Sequence, residues 1–147
     1  KDFVVDEYQL FEARLAGADA VLLIAADLKL QEARALASMA HELGLEVLME
    51  LHSEDELDYA SLDVDMVGVN NRDLGTFHTD VQNSFRLSAS LPQDRVLVSE
   101  SGLGNPQTVM LLRQAGFRGF LMGEHFMKAD DPGMKLARFI SGIGNTL

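Results

Sequence analysis

Cysteine is absent from these 147 residues, which removes disulfide frameworks, thiolate metal sites and thiol nucleophiles and accords with a reducing compartment. Long apolar runs are absent too. None approaches the ~18 residues of a membrane span, so no membrane partner is expected. Basic residues are scarce, 12 against 23 acids, and the net charge of −11 would repel the phosphate backbone of a nucleic acid. A local concentration of positive charge can still receive a small anion, which keeps a phosphorylated metabolite in play. The four histidines, His41, His52, His78 and His125, lack metal-site spacing, and no cofactor is expected. What is present, 47% hydrophobic and 24% charged residues with mean hydropathy near zero, suits a folded cytoplasmic protein and not a disordered one.

No linker or low-complexity stretch divides the chain, so residues 1–147 read as one domain built on a repeated unit. Asp6 can cap a helix running to Ala16, with Gln9 placed to reach back and Gly17 to end it before a strand at Ala20 to Ile24. Ala33, Leu36, Ala37, Ala40 and Leu43 fall three and four apart and predict a helix over Leu30 to Leu43, stopped by Gly44 and followed by a strand at Glu46 to Leu51. Ser53 and Glu56 form a capping-box pattern for a short helix, which leads to a strand at Met66 to Asn70. Asp80 opens a helix to Leu91, Pro92 ends it, and Val96 to Ser99 is the next strand. Asn105 and Pro106 start another helix, Gly116 stops it, and Gly119 to Met122 is the fifth strand. Asp131 and Pro132 begin a final helix that fades near Gly142 and Gly144.

Strands alternating with helices imply a parallel sheet of right-handed crossovers. Five strands leave two architectures: an open doubly wound sheet, or the last part of a (β/α)8 barrel, which typically takes about 250 residues. The chain opens at Lys1 on a loop that precedes a helix, as if a strand had been cut away upstream. The expectation is therefore an N-terminally truncated TIM barrel, covering about strand 4 to helix 8.

The carboxyl ends of these strands, where parallel sheets and barrels do chemistry, expel polar or glycine residues. Glu50 sits in an apolar run, between Met49 and Leu51, where a strand buried on both faces would not tolerate an unpaired carboxylate. It reads either as a structural ion pair or as a general base at the strand mouth. Asn70 and Asn71 either make a turn or orient a substrate hydroxyl. Ser101-Gly102 and Gly123-Glu124 end successive strands, so two loops can present backbone N–H groups on the same side. They read as a phosphate site, against the plainer reading of two tight turns needing positive φ. His41 reads as a surface or boundary residue, and His125 as packing beside the phosphate loop, with lining the mouth as the other reading. Met39, Met110 and Met134 read as core filler, and Glu54, Asp55, Glu56 and Asp58 as a solvated helix start.

KDFVVDEYQ at Lys1 to Gln9, VLLIA at Val21 to Ala25, the glutamate of VLMEL, VGVNNRDL, SESGL and GFLMGEHFM occur in the order seen in indole-3-glycerol-phosphate synthases, tryptophan-pathway barrel enzymes. The chain resembles that family over essentially its whole length. The resemblance implies ring closure of 1-(2-carboxyphenylamino)-1-deoxyribulose 5-phosphate, with loss of carbon dioxide and water. It implies that Lys1 is the general acid that protonates the ribulose carbonyl oxygen, that Glu50 is the base of the later dehydration, and that Asn70 holds a substrate hydroxyl. Glu100 matches a carboxylate of the same site. Ser101, Gly102, Gly123 and Glu124 match the phosphate loop, the last chiefly through its backbone N–H. Phe3, Leu23 and Leu74 match an apolar wall for the anthranilate ring, and Arg72 a loop residue beside it.

The family pattern also places a glutamate and a lysine on the first strand, for which these residues have no counterpart. The site is therefore expected to be incomplete and the isolated chain inactive. A sheet of five strands would expose two long edges, so the expected partners are the small phosphorylated substrate and either the missing N-terminal barrel segment or a second copy. Two other readings remain. A sugar-phosphate epimerase or isomerase would share the phosphate loops but not Lys1, Glu50 and NNRDL together, and a noncatalytic half-barrel would have no use for the polar mouth.

Overall fold

The computed structural model describes residues 2–144. Helix α1 (Glu7–Leu15) starts at the capping box its sequence predicts: Asp6 accepts the N–H of Tyr8 at 2.8 Å, and Gln9 Oε1 accepts the N–H of Asp6 at 3.1 Å. After β1 (Ala20–Ile24), α2 (Leu30–Glu42) buries Ala33, Leu36, Ala37 and Ala40, the apolar stripe of its period. β2 (Glu46–Leu51) leads through a 3-10 turn (Glu54–Glu56) to α3 (Leu57–Ala60) and β3 (Met66–Asn70). Then follow α4 (Gln82–Ser88), β4 (Val96–Glu100), α5 (Pro106–Gln114), β5 (Gly119–Leu121), α6 (Glu124–Met127) and α7 (Pro132–Ile143).

The strands form one parallel sheet in the order β1-β2-β3-β4-β5. A doubly wound sheet reverses its strand order at a switch point. Here every strand lies beside its predecessor and no reversal occurs, which is the order of a (β/α) barrel. The chain folds as a partial barrel, and the choice that the strand count leaves open is decided by topology.

Alternation along each strand sorts the side chains into two sets. Val21, Leu23, Val47, Met49, Leu51, Val67, Val69 and Leu97 pack into one core with the helix residues Leu10, Ala33, Leu36, Leu87 and Leu112. The register carries the opposite face across the sheet as Ile24, Glu50, Gly68, Val98 and Gly119, and one layer higher as Asn70, Glu100 and Leu121. That second face is the inside of the barrel. Its upper layers carry the polar groups, so the fold puts them together at the carboxyl end.

Several boundaries differ from the sequence expectation, each for a local reason. The helix expected from Asp80 to Leu91 runs only from Gln82 to Ser88. At its start, the N–H of Asp80 is tied to the carbonyl of Asn71 at 2.8 Å. At its end, Gln93 Nε2 binds the carbonyls of Ser88 and Leu91. Ser53 makes no side-chain cap; Glu56 instead turns back to accept the N–H of His52 at 2.5 Å. Met39 packs on the core as expected, but Met110 and Met134 are exposed and are not core filler. β5 ends at Leu121, one residue early, and Gly123 becomes the cap of the four-residue α6.

Candidate active site

Glu50 is 0% exposed and Glu100 1% exposed, at the carboxyl ends of β2 and β4 on the inner face. A buried carboxylate is expensive unless paired and hydrogen-bonded. For Glu50 the neighbouring strand and its own continuation supply partners. Asn70 Nδ2 donates to Glu50 Oε1 at 3.1 Å, and His52 Nε2 lies 3.3 Å from the same oxygen. The other ring nitrogen of His52 is 3.7 Å from Glu56 Oε2. Burial pushes the His52 imidazole down, but the carboxylates of Glu50 and Glu56 on its two nitrogens outweigh burial and raise it to about 9. Burial likewise pushes Glu56 up, and the ring and N–H of His52 overcome this to hold it below the usual glutamate value. Glu56 is therefore half-buried and engaged, unlike the solvated helix start the acid cluster suggests.

The two asparagines have separate duties. Asn70 turns its amide nitrogen to Glu50 and accepts the N–H of Arg72 at 3.0 Å. Asn71, 3% exposed, points the other way: its Nδ2 donates to Ser99 Oγ and to the Ser101 carbonyl, both at 3.1 Å. Its Oδ1 accepts the N–H and the Oγ–H of Ser84. Asn71 is thus a buried fastener that fixes the start of the Ser101 loop to α4. Asn83, also on α4, donates to the carbonyls of His52 at 2.8 Å and Asn70 at 3.3 Å, so it staples the ends of β2 and β3.

Beside this cluster lies a cleft of about 420 Å³ lined by Ser101, Gly102, Gly123, Glu124, Lys128 and Lys135, among others. Ser101 and Gly102 both take left-handed backbone, φ 66° and 71°, which turns the chain sharply away from β4 just after the Ser101 N–H has donated to the Leu121 carbonyl at 3.4 Å. Gly123 caps α6 from the next strand. Three cations, Arg72, Lys128 and Lys135, line the same space, a local exception to the acidity of the chain. Glu124 makes ion pairs with Arg72 and, at 2.5 Å, with Lys128. First Lys128 and then Arg72 hold its carboxyl down to about 2. Its side chain is therefore held by both cations. Lys135 Nζ donates to the His125 carbonyl at 2.8 Å, and the His125 ring packs against Phe126 and Phe139, beside the loop as expected.

Other expected site residues fall elsewhere. Leu23 pairs in register with Met49 and packs in the helix-facing core, so it is on the opposite face from Glu50; the β1 residues on that inner face are Leu22 and, level with Glu50, Ile24. Phe3 is half-exposed and does not line the cleft. Leu74 is half-buried in the loop closed by the Arg72–Thr79 bridge. Lys1 lies outside the described residues. Residues that sequence reasoning passed over are His52, Glu56, Asn83, Lys128 and Lys135. The first had a signal, because residues i and i+2 share a face at a strand end, and His52 follows Glu50 by two. Among the described residues no group of three His, Asp or Glu could hold a metal, and no helix is long and apolar enough to cross a membrane.

The arrangement joins a buried carboxylate with an amide partner to a cationic cleft floored by turned backbone. The carboxylate ends β2 and the cleft opens at the ends of β4 and β5, so both lie at the same end of the sheet with β3 and its Asn70 between them. A family model described as indole-3-glycerol phosphate synthase matches residues 1–139. The indole-3-glycerol phosphate synthase of Bacteroides thetaiotaomicron is 62% identical over 143 residues, 97% of this chain and 55% of that protein. Those of Chromobacterium violaceum and Salinibacter ruber are 47% and 49% identical, each matched over 94% of this chain and 52% of its own length. The chain spans about half the length of the curated relatives it matches. Among solved structures, a mutant tryptophan synthase alpha-subunit from Pyrococcus furiosus matches 93% of this chain and 59% of its own with a TM-score of 0.68 and 16% identity. That likeness shows the fold alone.

Proposed function

Because this chain belongs to the indole-3-glycerol phosphate synthase family, we propose that the protein carrying it closes the indole ring of 1-(2-carboxyphenylamino)-1-deoxyribulose 5-phosphate in tryptophan biosynthesis. The observation that carries this reading is the contact between Glu50 and Asn70 on adjacent strand ends, next to the cationic Ser101–Gly123 cleft. A carboxylate and an amide that converge beside an anion seat fit a substrate with a phosphate at one end and reacting hydroxyls some atoms away.

In this reading the phosphate binds between the Ser101-Gly102 turn and the Gly123-Glu124 turn, favoured by Lys128, Lys135 and Arg72. The ring carbon bearing the carboxylate attacks the ribulose carbonyl carbon while Lys1 protonates the carbonyl oxygen. The electron pair of the bond to the departing carbon dioxide restores the aromatic ring. Glu50 then takes a proton from the ring methylene beside the nitrogen, and that electron pair forms the ring double bond. The neighbouring hydroxyl, held by Asn70, leaves as water with a proton from a lysine ammonium that Glu100 orients. Leu74 and Arg72 stand beside the aromatic end. The five strands alone lack the first-strand glutamate and lysine of the family pattern. The reading therefore has the isolated chain inactive and completed by the remaining barrel segment or associated through its sheet edges.

Steady-state and single-turnover assays of ring closure on a full-length protein containing this sequence test the reading. Lys1→Met should lower turnover by on the order of 10²–10⁴ with little loss of binding, and Glu50→Gln should let the ring-closed intermediate accumulate. Parental turnover in Lys1→Met would leave only the family fold and the phosphate loop standing.

A further inference from the structure

Glu50 does not end its connections at Asn70. His52 follows it by two residues, so both side chains leave the top of β2 on the same side, and Nε2 of the imidazole is 3.3 Å from Glu50 Oε1. The ring is largely enclosed, and its Nδ1 is 3.7 Å from Oε2 of Glu56, the half-buried carboxylate that also accepts the His52 N–H at 2.5 Å. Asn83 of α4 fixes the His52 carbonyl, so the backbone that aims the ring is held from a second element. The row Glu50, His52, Glu56 runs from the dry interior of the barrel to the edge of solvent.

We propose that His52 is a positioning residue for Glu50: its imidazolium, clamped between Glu50 and Glu56, keeps the Glu50 carboxylate anionic and fixed at the barrel mouth. The inference rests on the reading of Glu50 as a base. An opposite charge at this distance favours the charged form of a buried acid. A base that must accept a proton needs to be empty before the dehydration begins. Among the described residues, the charged groups set against the ring are Glu50 from β2, Glu56 from the 3-10 turn and, farther off, Asp73 from the loop after β3, whose carboxyl senses the His52 charge. All are acids, so each favours the imidazolium, against the burial that disfavours it.

The test uses the full-length protein and two readouts. In the first, the His52 imidazole is titrated by NMR in the parent, in Glu50→Gln and in Glu56→Gln. The parent midpoint should stand well above 6.5, and each variant should lower it by about one unit or more. In the second, turnover is followed against pH in His52→Gln, which keeps a hydrogen-bond donor without the charge. The acid limb should move up by about one unit, so that activity falls about tenfold more at low pH than on the plateau. A merely structural role would lower the plateau and leave the limb in place. A His52 midpoint unmoved by Glu50→Gln, or an acid limb unmoved in a folded His52→Gln, would overturn the proposal. Should His52→Gln fail to fold, the Glu50→Gln and Glu56→Gln titrations decide. If Glu50→Gln turns over at the parental rate, the base assignment fails, and a lowered His52 midpoint in that same variant would show the contact without the catalytic purpose.

Discussion

Gly68 lies beneath the carboxylate of Glu100. A methyl group on its α-carbon would overlap Oε1 of Glu100 and stand 3.3 Å from the Glu100 Cδ and from Leu48 Cδ1. Both flanking strands thus lean into a space that only glycine leaves open. Gly68→Ala should displace the Glu100 carboxylate and cost about 1–3 kcal/mol through overpacking. Denaturant midpoints and a structure of the variant check this. Adding Glu100→Asp, which withdraws the carboxylate by one carbon, should recover part of the loss, and strict additivity in that double-mutant cycle would contradict the packing account.

Asn70 and Asn71 should respond oppositely. Asn71→Ala strands the Ser84 N–H and the Ser101 carbonyl in a buried site, at about 1–3 kcal/mol for each group left unpaired, and should lower the unfolding midpoint. Asn70→Ala removes the amide that donates to Glu50 and should reduce turnover with a smaller change in stability. Thermal melts alongside activity assays on the pair separate the two, and equal melting losses would argue against the division of duties.

Gly102 is constrained from behind. A Cβ there would overlap Thr79 Cγ2 and stand 3.2 Å from Val81 Cγ2, on a backbone with φ 71°. Gly102→Val should therefore push the Thr79–Val81 segment away and destabilise the protein as well as weaken phosphate binding. Amide exchange should report faster opening at residues 79–81. Unchanged protection there, with weaker phosphate binding alone, would mean that the side chain enters the cleft instead.

The Glu124 carboxylate occupies two of the cations that line the cleft. Glu124→Gln keeps the backbone N–H and releases Arg72 and Lys128, so inorganic phosphate should bind about two- to fivefold more tightly, in line with the worth of exposed ion pairs. Calorimetric titration at low and high salt measures it, and the gain should shrink as salt rises. Weaker binding in the variant would show that the carboxylate positions the cations for the ligand. The same pairs depress the Glu124 pKa from 4.5 to about 2. Their stabilising contribution is present above pH 4.5 and lost as pH falls through about 2.

The repeated strand and helix unit, the capping box at Asp6, the apolar stripe of α2 and the polar strand ends were legible in the chain, because caps and periodicities are local and act within a few residues. The motifs in their order also sufficed for the family. Tertiary structure decided the rest. Whether five strands form a barrel or a doubly wound sheet depends on which strands pair, and pairing is a long-range choice that no local period records. The face on which Leu23 falls depends on the register with Met49, since a shift of one residue turns every side chain over. Adjacent residues Asn70 and Asn71 look alike in sequence, yet one reaches Glu50 and the other Ser84 because successive side chains leave a strand in opposite directions. Glu56 reads as a solvated acid until the chain turns back after β2 and brings it to His52. The sequence determined which groups could do chemistry here, while only packing across strands brought a carboxylate, an amide and an imidazole within hydrogen-bond and ion-pair reach in a space dry enough for their charges to matter.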